Sequence, residues 1–201
     1  MGRPVANPTL QLLLDAIQRQ EHDVAEHSRR VQSIALSLGR RMALDEESLT
    51  LLSTGALLHD LGKFLVPVEL LRLPRPLTRR EWAIIREHPD QSAALCTAMP
   101  WLSTVRPIVK AHHERLDGSG YPDGLRGSVI PLLAQIVQLA DISDALLSHR
   151  SYKPPMRLDH VSDILRAEAA SGWRDRSLTA LCIAVLEEPQ QQIAYTSPPP
   201  D

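Results

Sequence analysis

A chain of 201 residues, 43% hydrophobic and 23% charged, is long enough for one domain with a proper core and has an ordinary globular balance. A formal net charge of -2 excludes the broad basic field expected of a binder of nucleic acid polymers or anionic membranes, so an anionic ligand must be met by local cations. Two cysteines without CxxC spacing exclude a disulfide framework and a thiolate metal site. No apolar run reaches membrane-spanning length and the start MGRPVANP lacks the apolar region of a signal peptide, so a soluble, cytoplasmic protein is expected.

Residues 1–8 read as a flexible tail. From Leu10, apolar residues recur at Leu13, Leu14 and Ile17, a stripe that either pads the core or belongs to a dimerising helix, which leaves a homodimer open. The spacing predicts a second helix over 23–41 with Val31, Ile34, Ala35 and Leu38 as its buried face; His27 extends that stripe, with Asp23 one turn earlier. A third helix begins near Asp45, has Glu46 and Glu47 at its positive end, carries Leu52, Gly55, Ala56 and His59 on one side and stops near Gly62. Residues 63–67 turn into a short amphipathic piece ending at the proline-rich LPRPLT. Thr78 and Glu81 form a capping box for a helix through Trp82, Ile84 and Ile85 to His88, where Pro89 ends or kinks it. Residues 90–99 are the next helix, stopped by Pro100, and Ser103 opens another with Val105, Ile108, Val109 and His112 at helical spacing.

The loop 117–130 holds Gly118, Gly120, Gly124 and Gly127. Pro131 takes the first position of a helix with Leu133, Ile136, Val137, Ala140 and Asp141 on one side, running to about Ser148. Helices near 158–169 and 177–186 complete a domain over residues 9–187, and the proline-rich stretch 188–201 reads as a disordered tail. Trp82, Trp101 and Trp173 read as core or interface fillers, and His22, His149 and His160 as surface histidines. No alternating strand pattern occurs. The expected fold class is all-α, a single helical domain.

His27, His59, His88, His112 and His113 lie on or beside the apolar faces of different helices, as do Asp60 and Asp141. A lone histidine in such a place is more often a hydrogen-bonded core residue than a ligand. Seven polar groups facing one core are another matter, because burying an unpaired carboxylate costs on the order of several kcal/mol. Divalent cations satisfy all of them at once. Neighbouring helix positions point about 100° apart, so His59 can serve one ion while Asp60 reaches between two lying about 3.5–4 Å apart. Imidazole and carboxylate donors without thiolate suit Fe or Mn, and less specifically Zn.

LLHDLGK at residues 57–63 resembles the HD signature, and HHERLDGSGYP at 112–122 resembles the HHExxDGxGYP signature of the HD-GYP phosphodiesterases. PLTRREW, the His88-Pro89 pair, DISDAL and RSYK extend the likeness from His27 to about Val185. The resemblance implies an all-α metal-dependent phosphohydrolase fold, a multi-helix bundle around a di-metal centre, that hydrolyses cyclic di-GMP to linear pGpG and on to GMP, lowering a bacterial second messenger. It implies one ion on His27, His59, Asp60 and Asp141 and a second on His88, His112 and His113, with Asp60 bridging. Asp23 stands where some members place a Glu that holds a third ion; it is shorter by one methylene, and a solvated helix-start carboxylate is its other reading.

Lys63 resembles the family lysine that contacts the scissile phosphate. Arg150 and Lys153 resemble a pair of phosphate-clamping cations, with Ser151 where many members have Pro; a solvated surface position is the other reading for all three. The implied chemistry is in-line attack on a phosphodiester by water activated between the ions, since a metal lowers the pKa of water from about 15.7 to about 7. The Gly120-Tyr121-Pro122 loop is expected to pack or to meet a partner, a GGDEF-type protein among the candidates. Glu114 reads as a buttress of the site or loop, Asp117 as turn chemistry and Asp144 as a structural hydrogen-bonding residue. A related cyclic dinucleotide as substrate, a catalytically weak nucleotide sensor or docking module, and a di-iron oxygenase remain as other readings.

Overall fold

The computed structural model describes residues 22–71, 73, 75–149 and 154–189, the side chains of His22 and Asp23 excepted. The stripe from Leu10 to Ile17 therefore lies outside the described residues, as do residues 1–8 and 190–201. Helix α1 (His22–Arg41) presents Val31, Ile34, Ala35 and Leu38 at helical spacing, and all four are fully buried. It packs chiefly against α2 (Glu46–Leu58) and α7 (Leu132–Leu147). Asp45 caps α2 by accepting from Ser48 N at 2.8 Å.

Three expected helices are cut differently from their sequence pattern. The third ends at Leu58; His59 is its C-cap, Asp60 sits in a turn at φ −97°, and residues 61–65 form a 3-10 turn that contains Gly62. The capped helix α4 (Arg79–Ile85) stops short of Pro89, and His88 opens α5 (His88–Ala98) instead of closing α4. Proline is disfavoured inside a helix and welcome in its first turn, so Pro89 reads better as a start than as an end. The segment opened by Ser103 divides into a 3-10 stretch, 100–105, and α6 (Arg106–Ala111), whose C-cap is His112. Short α3 (Val68–Leu71) lies between, and α8 (Leu158–Ala170) and α9 (Arg176–Leu186) close the bundle. Glu188, just past α9, pairs with Arg41 of α1.

All regular structure among the described residues is helical, with one isolated bridge, Asp117 to Arg126, closing the glycine-rich loop. The larger core joins α1, α2, α7, α8 and α9 through residues such as Ile34, Leu38, Leu52, Ile136, Leu165 and Val185. A smaller one gathers Ala25, Leu58, Leu61, Ala93, Cys96, Leu102, Val105 and Val109. Each fully buried aliphatic side chain contributes about 1.5–3 kcal/mol, so the two cores rigidly hold the helix ends that emerge between them. Trp82 and Trp101 are not core fillers: they are 48% and 37% exposed. His149 and His160 are exposed, as expected.

Candidate metal centre

Leu58 and Leu61 of the smaller core flank His59 and Asp60, while Ala140 of the larger core precedes Asp141. The two cores thus deliver their polar neighbours to one place. His88, His112 and His113 arrive from the start of α5 and the end of α6. Their ligand atoms form two groups, each within 4.8 Å: Asp60 with His88, His112 and His113, and His27 with His59 and Asp141.

Asp60 stands between the groups. Its Oδ2 lies 3.3 Å from His59 Nε2 and 3.7 Å from His27 Nε2, and its Oδ1 lies 3.3 Å from His88 Nε2 and 3.9 Å from His112 Nε2. Asp141 Oδ1 lies 3.2 Å from His27 Nε2 and 3.9 Å from His59 Nε2. Lys63, three residues on, reaches Asp60 Oδ2 at 2.5 Å.

The other ring nitrogens explain why these Nε2 atoms converge. His59 Nδ1 faces Ala56 O at 2.8 Å, His88 Nδ1 faces Ile85 O at 2.7 Å and His112 Nδ1 faces Val109 O at 2.7 Å. In every case the carbonyl is three residues back at the end of a helix, where carbonyls lack an intrahelical partner. A carbonyl only accepts, so each Nδ1 carries the proton and each Nε2 presents a lone pair. His27 is held differently: its Nδ1 meets Asp144 Oδ2 at 2.7 Å, and fully buried Asp144 also accepts from Arg30 Nε at 2.7 Å.

The donor set fits divalent cations. His27 Nε2, His59 Nε2 and Asp60 Oδ1 are buried and make no hydrogen bond. His88 Nε2 and His112 Nε2 face each other at 3.3 Å, both with lone pairs by the reasoning above. Such a set is costly unless an ion satisfies it.

Burial pushes the imidazoles of His88 and His112 down and takes His113 to about 3, so this group is neutral and ready to donate. Burial acts on His27 in the same direction, but the neighbouring carboxylates of Asp141 and Asp144 outweigh it and carry His27 up to about 9. Burial would raise Asp60 and Asp141, yet adjacent imidazoles hold both carboxyls well below the usual range, with Lys63 assisting at Asp60.

Two glycines are required by close approach. A Cβ on Gly62 would fall 2.1 Å from His88 O, so the chain after Asp60 passes directly against the start of α5. Ser92 fastens the same crossing, donating to His59 O at 3.0 Å and accepting from Gly62 N at 2.7 Å. At Gly120 a Cβ would fall 2.4 Å from Glu114 Cα.

The buried Glu114 carboxylate accepts from Asp123 N at 2.7 Å and from Gly124 N and Leu125 N at 3.0 Å, the loop-buttressing role expected of it. Asp117 accepts from Ser119 N at 2.9 Å, as turn chemistry requires. Tyr121 packs against the centre itself. Its ring stacks on His113 at 4.8 Å, its N–H donates to His113 O at 3.2 Å, and Arg86 covers its outer face at 4.7 Å. Gln138 on α7 donates to the carbonyls of His112, at 3.1 Å, and Glu114.

All seven residues expected to hold two ions are therefore brought together, with Lys63 beside them. The Asp23 side chain and Arg150 and Lys153 lie outside the described residues. Sequence reasoning missed Arg30, Ser92 and Gln138, which hold the donors through other atoms; a polar residue interrupting an apolar helix face was the only signal available.

This helical fold and its histidine–aspartate centre define a member of the HD-domain class: the chain matches the HD domain family over residues 11–178 and belongs to it. Within that class, its HHERLDGSGYP segment and its relatives place it in the HD-GYP branch. It is 35% identical over 175 residues to the cyclic di-GMP phosphodiesterase response regulator RpfG of Xanthomonas campestris, covering 86% of this chain and 46% of that protein. It is 34% identical over 164 residues to the 3'3'-cGAMP-specific phosphodiesterase 1 of Vibrio cholerae, covering 82% of this chain and 38% of that one. The chain thus spans less than half the length of these curated relatives. Among solved structures, the HDG"Y"P protein from Bdellovibrio bacteriovorus superposes with a TM-score of 0.69 at 22% identity, over 87% of this chain and 57% of that one, which shows a shared fold. No helix among the described residues is long and apolar enough to cross a membrane.

Proposed function

We propose that this chain is a metal-dependent phosphodiesterase that opens cyclic di-GMP to linear pGpG and carries it on to GMP. The observation that carries the reading is Asp60, whose two oxygens face separate imidazole sets from a buried position. A carboxylate so placed can bridge two cations, with His27, His59 and Asp141 on one side and His88, His112 and His113 on the other. Fe or Mn suits the donors best. Once bound, two such ions supply activated water and polarise a phosphate oxygen.

The protein's own part is positional. Helix-end carbonyls and Asp144 orient the imidazoles, and burial keeps water from competing for the donors. Lys63 rests on Asp60 Oδ2 with its side chain 25% exposed, and we assign its ammonium to the substrate phosphate once a cation takes that oxygen. Arg150 and Lys153 are assigned to the second phosphate by their place in RSYK. The likeness to cGAMP-specific proteins of Vibrio cholerae supports 3'3'-cGAMP as the alternative substrate.

The test is purified chain with Mn²⁺ or Fe²⁺ and each dinucleotide, with products separated by chromatography. Turnover to pGpG that disappears in Asp60→Ala is expected. Failure to turn over either nucleotide with either metal, while nucleotide still binds, would leave a sensor and end the enzyme reading. Preference for 3'3'-cGAMP would correct the substrate alone.

A further inference from the structure

His112 and His113 must aim two consecutive side chains at one place. Successive residues of a helix point about 100° apart, so continuing α6 would separate them. The chain instead turns at His112, and the two rings come together with centroids 4.0 Å apart. Such a turn leaves carbonyls without helical partners. The carbonyl of His113 is taken by Tyr121 N, while those on either side of it, at His112 and Glu114, are both taken by the amide of Gln138.

Gln138 is itself buried, at 8% exposure, and precedes Asp141 by three residues on α7, hence on the same side of that helix. One side-chain amide therefore ties the backbone at His112 and Glu114, on either side of His113, to the helix that carries Asp141; His112 and His113 belong to one donor group and Asp141 to the other.

We propose that Gln138 is a positioning residue that sets the spacing between the two donor groups and couples their occupancy by metal. This rests on the two-ion reading above. Its amide touches no reacting atom; it acts through the direction in which His112 and His113 point. Without it the His88–His112–His113 group loses aim while His27, His59 and Asp141 keep theirs. Loss of an orienting partner typically costs about ten- to a hundredfold in metal affinity, and here it should fall on one ion of the pair.

The test uses the whole chain, freed of metal, and Mn²⁺ alone. Gln138→Met retains side-chain length and bulk but has no donor, so the metal-free variant should still unfold cooperatively, at a melting temperature lowered by the two carbonyls left unpaired. Calorimetric titration should show one Mn²⁺ binding with wild-type affinity and the other weakened about ten- to a hundredfold. Electron paramagnetic resonance at two equivalents should show the sharp hyperfine pattern of isolated Mn²⁺ where wild type shows an exchange-coupled pair. A wild-type isotherm and coupled spectrum in the variant would overturn the inference, as would equal weakening of both ions. A wild-type chain that never takes up a pair would remove the two-ion reading itself.

Discussion

Asp144→Asn offers a severe test of how the centre is held. Asp144 is fully buried and its oxygens serve two claimants: Oδ1 accepts from Arg30 Nε at 2.7 Å, and Oδ2 faces His27 Nδ1 at 2.7 Å and Arg30 Nη2 at 3.2 Å. Asparagine keeps the shape but replaces one acceptor with a donor. Arg30 is always charged, so the amide oxygen turns to it and the NH₂ faces His27 Nδ1. His27 must then accept at Nδ1, which leaves its one remaining proton on Nε2, the atom that has to offer a lone pair to a metal.

At least one charge-assisted bond is lost, a cost of about 1.5–3 kcal/mol in urea unfolding of the metal-free chain. Metal affinity at the His27 group should fall about ten- to a hundredfold. Titration of Mn²⁺ followed by calorimetry, alongside urea unfolding, measures both. Wild-type Mn²⁺ affinity in a folded Asp144→Asn protein would refute the claim that the carboxylate sets the tautomer of His27.

A raised His27 value predicts proton traffic. Near neutral pH the metal-free chain holds His27 charged, so metal uptake should release about one proton from it, seen as binding heat that varies with buffer ionisation enthalpy; buffer-independent heat would contradict this. In the metal-free chain the same residue contributes stability that is complete below its ordinary value of 6.5 and is lost as pH rises through about 9. Gly62→Ala should lower the melting temperature sharply, by overpacking worth about 1–3 kcal/mol or more, because its Cβ would lie 2.1 Å from His88 O; unchanged melting would show that the crossing can open. Leu38→Ala, remote from the donors in the larger core, should cost about 2–5 kcal/mol in urea unfolding yet leave the number of bound Mn²⁺ ions per folded chain unchanged.

Much of this was legible in the sequence, for reasons that differ from residue to residue. Val31, Ile34, Ala35 and Leu38 repeat with helical period, and periodicity reports burial directly. The seven donors stood out because histidine and aspartate beside apolar faces need partners. Boundaries were harder. His59, His88 and His112 each lie three residues after an apolar or small helix position (Ala56, Ile85 and Val109), so helical spacing drew them inside helices, whereas each sits at a helix edge with its ring turned back on a carbonyl. Gln138 carried no signal of its role in the sequence, since nothing local reveals which distant carbonyls its amide will meet. The exposure of Trp82 was equally invisible, because α4 carries its own capping box and Arg75–Glu81 pair and stands without burying any residue.

The three imidazoles held by helix-end carbonyls share a property that His27 lacks. Their orienting partner is main chain, which every amino acid supplies, so no single substitution at Ala56, Ile85 or Val109 deletes it. His27 depends on a side chain, and therefore on a codon. Variation in how tightly such a centre grips its ions, whether by selection or by design, therefore falls on side-chain partners, at positions 144 and 138, and not on the helix-end carbonyls that hold the rest.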